Sequence, residues 1–317
     1  MKVLFIIDPI KRLEWDWDNS LALLKEFVSR GHRCWITDIP DIWATEKSVY
    51  ALATPLMPSR KAQAETPGFT RGIPERFDAA RFDLIMIRKE PPFNPSYYYL
   101  TLLLERLKGK TVISNDPKGI RNTNEKLGTF LLPRRVPRSL VTSSVLEVLR
   151  FRKTIGAPIV LKPLNKKGGN GIRLLDSDET IRRELPRILR RCGQPLLFQE
   201  RLLNRRGTRG DKRILVLGGK IIGAYEKHPP ENDFRTNLSL YGTSHPTRLT
   251  ASEKKLVTEI RPYLLTEGLH LVGLDVMEGR LLDFNVTCPA GLTVAKSLYP
   301  QQAPVRAWAD FLERLLP

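Results

Sequence analysis

Cysteine is scarce in this sequence. Its 317 residues include three cysteines, Cys34, Cys192 and Cys288, which lie far apart and form no CxxC motif. An odd and scattered set argues against a disulfide framework and against a cysteine-based zinc site. The simplest interpretation is a protein of a reducing compartment, and we expect it in the cytoplasm.

Long apolar runs are missing as well. The first, residues 3–7, is cut short by Asp8 and Pro9, well below the length of a signal-peptide core or a membrane span. No later segment reaches the roughly 18 apolar residues that a membrane-spanning helix needs. We therefore expect no membrane association, and a chain of 317 residues predicts two or three subdomains packed as one unit.

Acidic residues are outnumbered. The chain has 34 Asp and Glu against 52 Lys and Arg, a formal net charge of +18. The excess is concentrated between residues 121 and 213, where 23 Lys and Arg accompany 8 Asp and Glu. Such a field favours anionic partners, although a solvated basic surface would have the same composition. Nucleic acid is a disfavoured partner, because no aromatic-rich stacking motif or recognition helix stands out.

The first third of the chain alternates between strand and helix patterns. Predicted strands cover residues 3–7, 34–37, 82–87 and 111–114, and predicted helices cover 20–29 and 97–107. This alternation is typical of an open α/β layer. Because ligands of such sheets bind beyond the carboxyl ends of the strands, Asp8, Arg88 and Lys89 are placed either to contact a ligand or to brace a loop.

The middle of the chain mixes strands with helices, and hairpins dominate from about residue 200. Gly218 and Gly219 separate two apolar runs and are a strong signal for a two-residue turn. A helix predicted at residues 252–267 precedes a last hairpin, in which residues 271–276 pair with 281–286. The whole chain is therefore predicted to combine α/β and α+β architecture.

The last hairpin carries the sharpest chemical signal. A three-residue loop with Gly279 in the left-handed conformation would place Asp275, Asp283 and Asn285 on one face. The other face would then carry the apolar residues Leu274, Val276, Leu282 and Phe284. Two carboxylates and an amide oxygen are the hard ligands that Mg²⁺ prefers, with phosphates completing its shell. The alternative is an exposed polar face, and a two-residue loop would turn Asp275 to the wrong side.

Lys162 is the second signal. It lies in an otherwise apolar strand, where an ammonium group requires an anionic partner. The loop that follows, residues 165–171, is basic and contains three glycines that allow backbone amides to approach phosphate oxygens closely. No Walker motif occurs, and a plain hairpin turn is the alternative interpretation of the loop.

Several shorter motifs gain meaning from their order. They are Asp8-Pro9-Ile10, Arg88-Lys89-Glu90-Pro91-Pro92-Phe93, Asn124-Glu125-Lys126, Leu161-Lys162-Pro163-Leu164, Gln199-Glu200, Gly210-Asp211-Lys212-Arg213, Arg235-Thr236-Asn237 and the last hairpin. Apart from the strand of Lys162 and the last hairpin, each of these alone could be an ordinary surface segment. Their succession, over nearly the whole chain, resembles the bacterial glutathione synthetases.

The resemblance implies a fold and an activity. It implies an ATP-grasp fold with an N-terminal open α/β (Rossmann-like) domain, with boundaries expected at residues 1–121, 122–202 and 203–317. It also implies an ATP-dependent ligase that joins a small peptide-like acid to an amino acid through an acyl phosphate. The cofactors would be ATP and Mg²⁺, or Mn²⁺ in its place. The family is commonly homo-oligomeric, but no segment of this sequence identifies an interface.

The resemblance also implies a role for individual residues. ATP would be bound by Lys126, Lys162, Gly168, Gly169, Gln199, Glu200, Leu202 and Asp211. The metal ions would be held by Asp275, Asp283 and Asn285. The catalytic arginines would be Arg213 and Arg235, and the substrates would contact Arg88, Lys227, Asn237 and Thr287. The loop of residues 168–171 would close over the phosphates.

The sequence departs from the family pattern on the substrate side. Asp283 stands where Glu is usual, and Lys227 stands where Arg is common, although lysine cannot form a bidentate fork with a carboxylate. Cys288-Pro289-Ala290 replaces Ser-Pro-Thr. We therefore keep two alternatives to glutathione synthesis: a ligase for another peptide-like acid or amine, and a non-catalytic ATP-grasp relative.

Overall fold

The computed structural model describes residues 1–59, 68–203, 210–231, 233–236 and 242–316. Three sheets occupy three successive stretches of the chain. The first contains parallel strands, whereas the second and third are antiparallel throughout. This order agrees with the predicted change from alternating strands and helices to hairpins.

The first sheet occupies the N-terminal third. Its strands are β1 (Lys2–Ile6), β2 (Arg33–Thr37), β3 (Ile42–Ala44), β4 (Val49–Pro58), β5 (Phe69–Arg71), β6 (Glu75–Asp78), β7 (Leu84–Ile87) and β8 (Val112–Ser114). Its helices are α1 (Asn19–Ser29), α2 (Pro95–Glu105) and α3 (Pro117–Asn122). The main order is β3-β4-β2-β1-β7-β8, with β1 parallel to β2 and β7, and β7 parallel to β8. The open α/β layer is confirmed, and β4 extends it as an antiparallel strand.

Local sequence accounts for these elements. β1 is fully buried after Lys2, so its unbroken apolar run is that of a central parallel strand. At the start of α1 the Asp18 carboxylate accepts hydrogen bonds from the N–H groups of Ser20 and Leu21, which closes the helix end. The strand ends therefore place Asp8 and the segment from Arg88 onward at one edge of the sheet.

The second sheet forms the central lobe. Its elements are β9 (Ser139–Thr142), α4 (Val145–Ile155), β10 (Ile159–Pro163), β11 (Arg173–Leu175), α5 (Asp178–Cys192) and β12 (Leu196–Glu200). The strand order is β11-β10-β12-β9. On β10, Ile159 and Leu161 pack with the helices in a separate core, whereas Val160 and Lys162 line a cleft on the opposite face.

The third sheet forms the C-terminal lobe. Its elements are β13 (Asp211–Leu217), β14 (Lys220–His228), β15 (Thr243–Pro246), α6 (Ala251–Thr266), β16 (Leu271–Met277), β17 (Arg280–Asn285), α7 (Leu292–Leu298) and α8 (Pro304–Glu313). The strand order is β15-β14-β13-β16-β17. The predicted Gly218–Gly219 turn joins β13 to β14, with Leu217 paired to Lys220.

The last hairpin differs from the prediction in one important way. Its turn has two residues, Glu278 and Gly279, both with positive φ, rather than three. A bulge then compensates, because Val276 pairs with Leu281 and Asp275 pairs with Asp283, which leaves Leu282 without a ladder partner. The predicted alignment of Asp275 and Asp283 is therefore found, but the reason given for it was wrong.

The bulge also changes which leucine is buried. Leu281, not Leu282, joins the core beneath the hairpin together with Leu274, Val276 and Phe284. Leu282 is half-buried and lines the cleft on the other side. The predicted position of Leu282 on the apolar face is therefore wrong, because the extra residue shifts the alternation by one.

The N-terminal and C-terminal thirds share their cores. One cluster contains Leu4 and Ile85 as well as Leu256 and Val272, so the hydrophobic cores of these two thirds are continuous. Asn115 joins them further, since its amide donates to the carbonyls of Leu271 and Val286. In the described part of the chain, no helix combines the length and the apolar character that a bilayer-spanning segment requires.

Candidate functional site

A cleft between the second and third sheets collects most of the chemically interesting side chains. One wall of the cleft is formed by β10 and β12, and the other wall is formed by β13, β14, β16 and β17. The residues predicted from the sequence that line it are Lys126, Lys162, Gly168, Gly169, Gln199, Glu200, Leu202, Asp211, Arg213, Lys227, Arg235, Asp275, Asp283, Asn285 and Thr287. Thus residues separated by up to about half of the chain converge on one site.

Asp275 is the electrostatic centre of the cleft. Its Oδ1 accepts from Arg213 Nε at 2.7 Å and from Lys227 Nζ at 2.9 Å, and its Oδ2 accepts from Arg213 Nη2 at 3.1 Å. Burial alone would raise the pKa of Asp275, but the charges of Arg213 and Lys227 outweigh it and hold that pKa below its ordinary value. The carboxylate is therefore ionised over the whole physiological range.

Asp211 completes a buried set of four charges. Lys227 Nζ lies 3.1 Å from Asp211 Oδ2, and both side chains are almost fully buried. Burial raises the pKa of Asp211, against the opposing charge of Lys227. Burial would lower the pKa of Lys227, but Asp211 and Asp275 raise it instead. The charges of two carboxylates and two cationic side chains thus cancel within the cleft, which limits the free-energy cost of burying them.

Asp283 has capacity for a further partner. Its Oδ2 lies 3.8 Å from Lys162 Nζ, and its Oδ1 is buried without a hydrogen-bond partner. Lys162 Nζ also donates to the carbonyl of the bulged Leu282 at 3.2 Å. A buried carboxylate oxygen with no donor is costly unless a cation or water satisfies it, so this position fits a hard metal ion.

The neighbouring groups suit the same ion. Asn285 lies opposite Gly273 on the paired strand, and its side-chain amide donates to the Gly273 carbonyl and to Asp275 Oδ2. The three predicted ligands are therefore adjacent. Within the described ranges no cluster of three or more His, Cys, Asp or Glu forms a metal site, so two carboxylates, an amide and a bound phosphate are the available donors.

The glycine-rich loop after β10 is held over the cleft by three elements. Lys126 Nζ donates to the Lys166 carbonyl at 2.9 Å, and Arg235 donates to the Gly169 carbonyl at 3.2 Å. Lys167 Nζ forms an ion pair with Glu90 Oε2 at 2.7 Å. Gly168 and Gly169 both have positive φ, which lets the loop turn its backbone toward the cleft. The loop thus contacts the N-terminal third as well as both lobes.

The part of the cleft beside β12 is more apolar. Val160, Leu202, Phe234, Met277 and Leu282 line it. Gln199 and Glu200 lie at its edge, and the Glu200 carboxylate is already engaged by Arg138 and Arg280. A flat apolar slot edged by polar groups is the type of site that takes an aromatic base.

The opposite end of the cleft lies beside the segment after β17. Glu125 Oε1 accepts from the N–H groups of Val286 and Thr287 and from the Thr287 hydroxyl, so this carboxylate holds the segment in place. Cys288 and Ala290 line the cleft there. Burial raises the pKa of Cys288 well above its ordinary value, so it is a neutral thiol and not a nucleophile.

Two predicted substrate contacts are not among the residues that line the cleft. Arg88 is 4% exposed. Its guanidinium donates to Ser20 and to the Pro289 carbonyl and lies over the Trp308 ring. It therefore braces the segment that carries Cys288, and its predicted contact with a substrate finds no support. Asn237 lies outside the described residues.

Some cleft residues were missed by the sequence interpretation. Glu125 was noted only as part of a motif, and Phe234, Tyr225 and Leu282 were not predicted to lie in the cleft. The order of the motifs carries no signal for the last three, since a single apolar or aromatic residue in a strand, loop or bulge has no distinctive spacing. A role for Glu125 in the cleft could have been suspected from its position in the Asn124-Glu125-Lys126 motif, directly after the N-terminal α/β layer.

The family models match the chain in two adjoining segments. The N-terminal domain of prokaryotic glutathione synthetase matches residues 1–121, and the ATP-grasp domain of the same enzyme matches residues 125–299. Together they cover the first sheet and both sides of the cleft.

Curated relatives and solved structures agree with these models. The glutathione synthetases of Synechococcus elongatus and Brucella melitensis are each 34% identical, over 300 and 297 residues, with 92% of both chains covered in each case. Among solved structures, the ATP-grasp ligase PsnB complexed with minimal precursor has a TM-score of 0.64 at 18% identity, covering 98% of both chains. The D-cycloserine synthetase DcsG has a TM-score of 0.67 at 13% identity, covering 99% of both chains.

The two kinds of similarity carry different weight. Below 25% identity the structural matches show a common fold, whereas 34% identity over nearly the full length shows common descent in one enzyme family. The predicted ATP-grasp fold is therefore confirmed, and with it an enzyme that uses ATP and a divalent metal ion to form a C–N bond. By its sequence, its fold and the composition of its cleft, this chain belongs to the prokaryotic glutathione synthetase family of ATP-grasp ligases.

Proposed function

We propose that this protein joins γ-glutamylcysteine to glycine, with conversion of ATP to ADP and phosphate. The observation that carries the proposal is the convergence of Asp275, Asp283 and Asn285 with the glycine-rich loop and two lysines in one cleft. The curated relatives, which are named glutathione synthetases, supply the substrates.

The reaction has two steps. A carboxylate oxygen of the acid attacks the γ-phosphorus of ATP and displaces ADP, which gives an acyl phosphate. The amine nitrogen then attacks the acyl carbon, loses a proton and displaces phosphate. Positioning and neutralisation of charge dominate such phosphoryl transfer, so neither step requires a nucleophilic side chain.

Different residues of the cleft bind the nucleotide, neutralise charge and bind the two substrates. Lys126, Lys162 and the amides of the glycine loop bind the phosphates, while the apolar slot beside Leu202 binds the adenine. Arg213 and Arg235 neutralise charge on the transferring phosphoryl group. Thr287 and the segment after it bind the acid and the amine. These assignments are the ones that the resemblance to the family implies, and they are supported by the position of the residues along the cleft.

A metal ion would be held by Asp275, Asp283 and Asn285. Mg²⁺ supplies neutralisation of the phosphate charge when bound, and Mn²⁺, which also accepts oxygen ligands, would serve in its place. The unpartnered Oδ1 of Asp283 is the feature of this chain that supports the assignment.

The decisive experiment measures ADP release by the purified protein. Release is expected only with Mg²⁺, γ-glutamylcysteine and glycine together, and glutathione should form in a 1:1 ratio with ADP. Release with γ-glutamylcysteine alone would indicate that the acyl phosphate forms without glycine and is then hydrolysed by water, which would leave the amine unidentified. No release with this pair would contradict the proposed substrates.

A second candidate is a ligase of the same type with another acid or amine. It is favoured by the segment Cys288-Pro289-Ala290, which presents a buried thiol and a methyl group at the substrate end of the cleft instead of two hydroxyls. A panel of dipeptide acids and small amines in the same ADP assay separates the two candidates. Turnover with a panel member but not with γ-glutamylcysteine and glycine would select the second.

A further inference from the structure

We propose that Lys227 is a positioning residue for the metal-binding carboxylate Asp275 and that it does not contact the acid substrate. The proposal rests on the proposed ATP and metal site, but not on the identity of the acid or the amine. It departs from the role that the resemblance implied for Lys227, a direct contact with substrate.

The contacts of Lys227 leave it little capacity for a substrate. Its ammonium lies 3.1 Å from Asp211 Oδ2 and 2.9 Å from Asp275 Oδ1, and its side chain is 4% exposed. An ammonium group has three N–H donors, and two of them point at buried carboxylates. A substrate carboxylate would have to compete with both of these acids for the same charge.

Strand register explains why these groups meet. Asp211 and Lys227 are direct partners on β13 and β14, and Arg213 and Asp275 are direct partners on β13 and β16. Because Asp211 and Arg213 are two residues apart on β13, they lie on the same face of the sheet. The four charges thus form a row across three neighbouring strands, in which Lys227 links Asp211 to Asp275.

The contacts of Asp275 show what this link does. Lys227 and Arg213 Nε both bind Oδ1, at 2.9 and 2.7 Å. Oδ2 has the longer contacts, 3.1 Å to Arg213 and 3.3 Å to the Asn285 amide. Lys227 therefore helps to orient the carboxylate so that its less engaged oxygen lies toward Asn285, the neighbouring predicted metal ligand.

The size and shape of lysine suit this task. A compact ammonium can lie between two carboxylates as a point charge, whereas a guanidinium is a larger, planar group whose donors are fixed in a fork. The replacement of the family's usual arginine by lysine thus agrees with a bridge between two acids. Arg213 and Arg235 then supply the positive charge at the transferring phosphoryl group.

The test compares metal-dependent nucleotide binding with substrate binding. Isothermal titration of ADP, with and without Mg²⁺, gives the fold-gain in affinity due to the metal. In Lys227→Met we expect this gain to fall about tenfold, while the KM for the acid in residual turnover changes less than threefold. A large rise in that KM with an unchanged Mg²⁺ effect on ADP affinity would overturn the proposal.

A second variant guards against misfolding, because removing Lys227 alone leaves buried acids in excess. Asp211→Asn keeps the lysine but breaks its bridge, so it should reproduce the loss of Mg²⁺-dependent ADP affinity. If Lys227 instead binds the substrate, Asp211→Asn should leave the ratio of the ADP affinities with and without Mg²⁺ unchanged, whatever it does to the ADP affinity itself. Lys227→Arg is the matched control that keeps the charge, and it should retain only part of the gain in ADP affinity due to Mg²⁺. ADP titration needs no acid or amine, so failure of the proposed substrates would leave this test intact.

Discussion

At the scale of single residues, Asp283 is the side chain whose surroundings best indicate a missing partner. Its Oδ1 is buried and unpartnered, and its other oxygen lies 3.8 Å from Lys162. We expect Asp283→Asn to lower Mg²⁺-dependent turnover by roughly 100-fold, because an amide is a weaker ligand for a hard cation. The change should appear in a Mg²⁺ titration of ADP release.

Stability provides the control for this substitution. Since Oδ1 forms no hydrogen bond, Asp283→Asn should change the free energy of unfolding by less than about 1 kcal/mol in urea titrations. Asp283→Glu, which introduces the residue usual in the family, should retain Mg²⁺-dependent turnover. Full activity in the asparagine variant would show that this carboxylate is not a metal ligand.

His270 gives a prediction about pH. Burial lowers its pKa from 6.5 to about 4. The unfolded chain therefore binds a proton at a higher pH than the folded chain, and the stabilisation is complete above about pH 6.5 and declines as the pH falls toward 4. The loss should be on the order of 2–3 kcal/mol over this window.

The measurement is the free energy of urea unfolding between pH 7 and pH 4, compared with His270→Asn. Other carboxylates also titrate in this range, so the informative quantity is the difference between the two proteins. That difference should shrink as the pH falls, because only the wild-type protein carries the imidazole, whose protonation favours the unfolded state. A constant difference would mean that His270 does not titrate on unfolding.

At the scale of elements, the ion pair between Glu90 and Lys167 joins the segment after β7 to the glycine-rich loop. The pair is partly exposed, so it should contribute no more than about 1 kcal/mol to the closed position of the loop. We expect Lys167→Glu to speed amide hydrogen exchange of residues 168–171 up to about fivefold. The double exchange Glu90→Lys with Lys167→Glu should reverse most of the effect.

A neighbouring residue provides the matched control. Lys166→Glu makes the same change of charge one position away, and Lys166 contributes its backbone carbonyl, not its side chain, to Lys126. Equal acceleration by both single variants would attribute the effect to net charge and exclude a specific pair.

The hairpin of β16 and β17 shows how an element can reach a predicted arrangement by an unexpected route. Period-two alternation predicted that Asp275, Asp283 and Asn285 share a face, and the pairing of Asp275 with Asp283 agrees. The turn, however, has two residues and the bulge at Leu282 restores the register. A bulge lacks a distinctive local sequence, because it depends on what each face packs against.

At the scale of the whole molecule, the three sheets are not equally connected. The first and third sheets share two large cores, whereas the central lobe has its own smaller core around Leu161 and Phe198. We expect the central lobe to unfold at a lower urea concentration than the rest of the chain, because a smaller core contributes less to stability.

Tryptophan positions make this separation measurable. All five tryptophans, at positions 15, 17, 35, 43 and 308, lie outside the central lobe. Circular dichroism at 222 nm should therefore begin to change before tryptophan fluorescence, and addition of Mg²⁺ and ADP should bring the two transitions together. Coincident transitions without nucleotide would show that the three sheets unfold as one unit.

The order of elements, and the placement of Asp275 opposite Asp283 in the last hairpin, were predicted from the sequence. Apolar runs, glycine turns and alternation act between residues that are near in the chain, so the open α/β layer and most strands were predicted. The succession of motifs also led to the family, and residues such as Lys162 and Gln199 were found in the cleft as expected. These features depend on local interactions that residue type largely determines.

The partners of the buried charges could not be predicted in this way. Lys227 faces Asp211 and Asp275 because β13 lies between β14 and β16, and Arg88 is buried against Trp308 because the two ends of the chain meet. Such contacts depend on strand order and on packing between distant segments. Residue types therefore indicated that the cleft is charged and binds ATP, whereas the packing of the three sheets determined which of those charges remain available to a ligand.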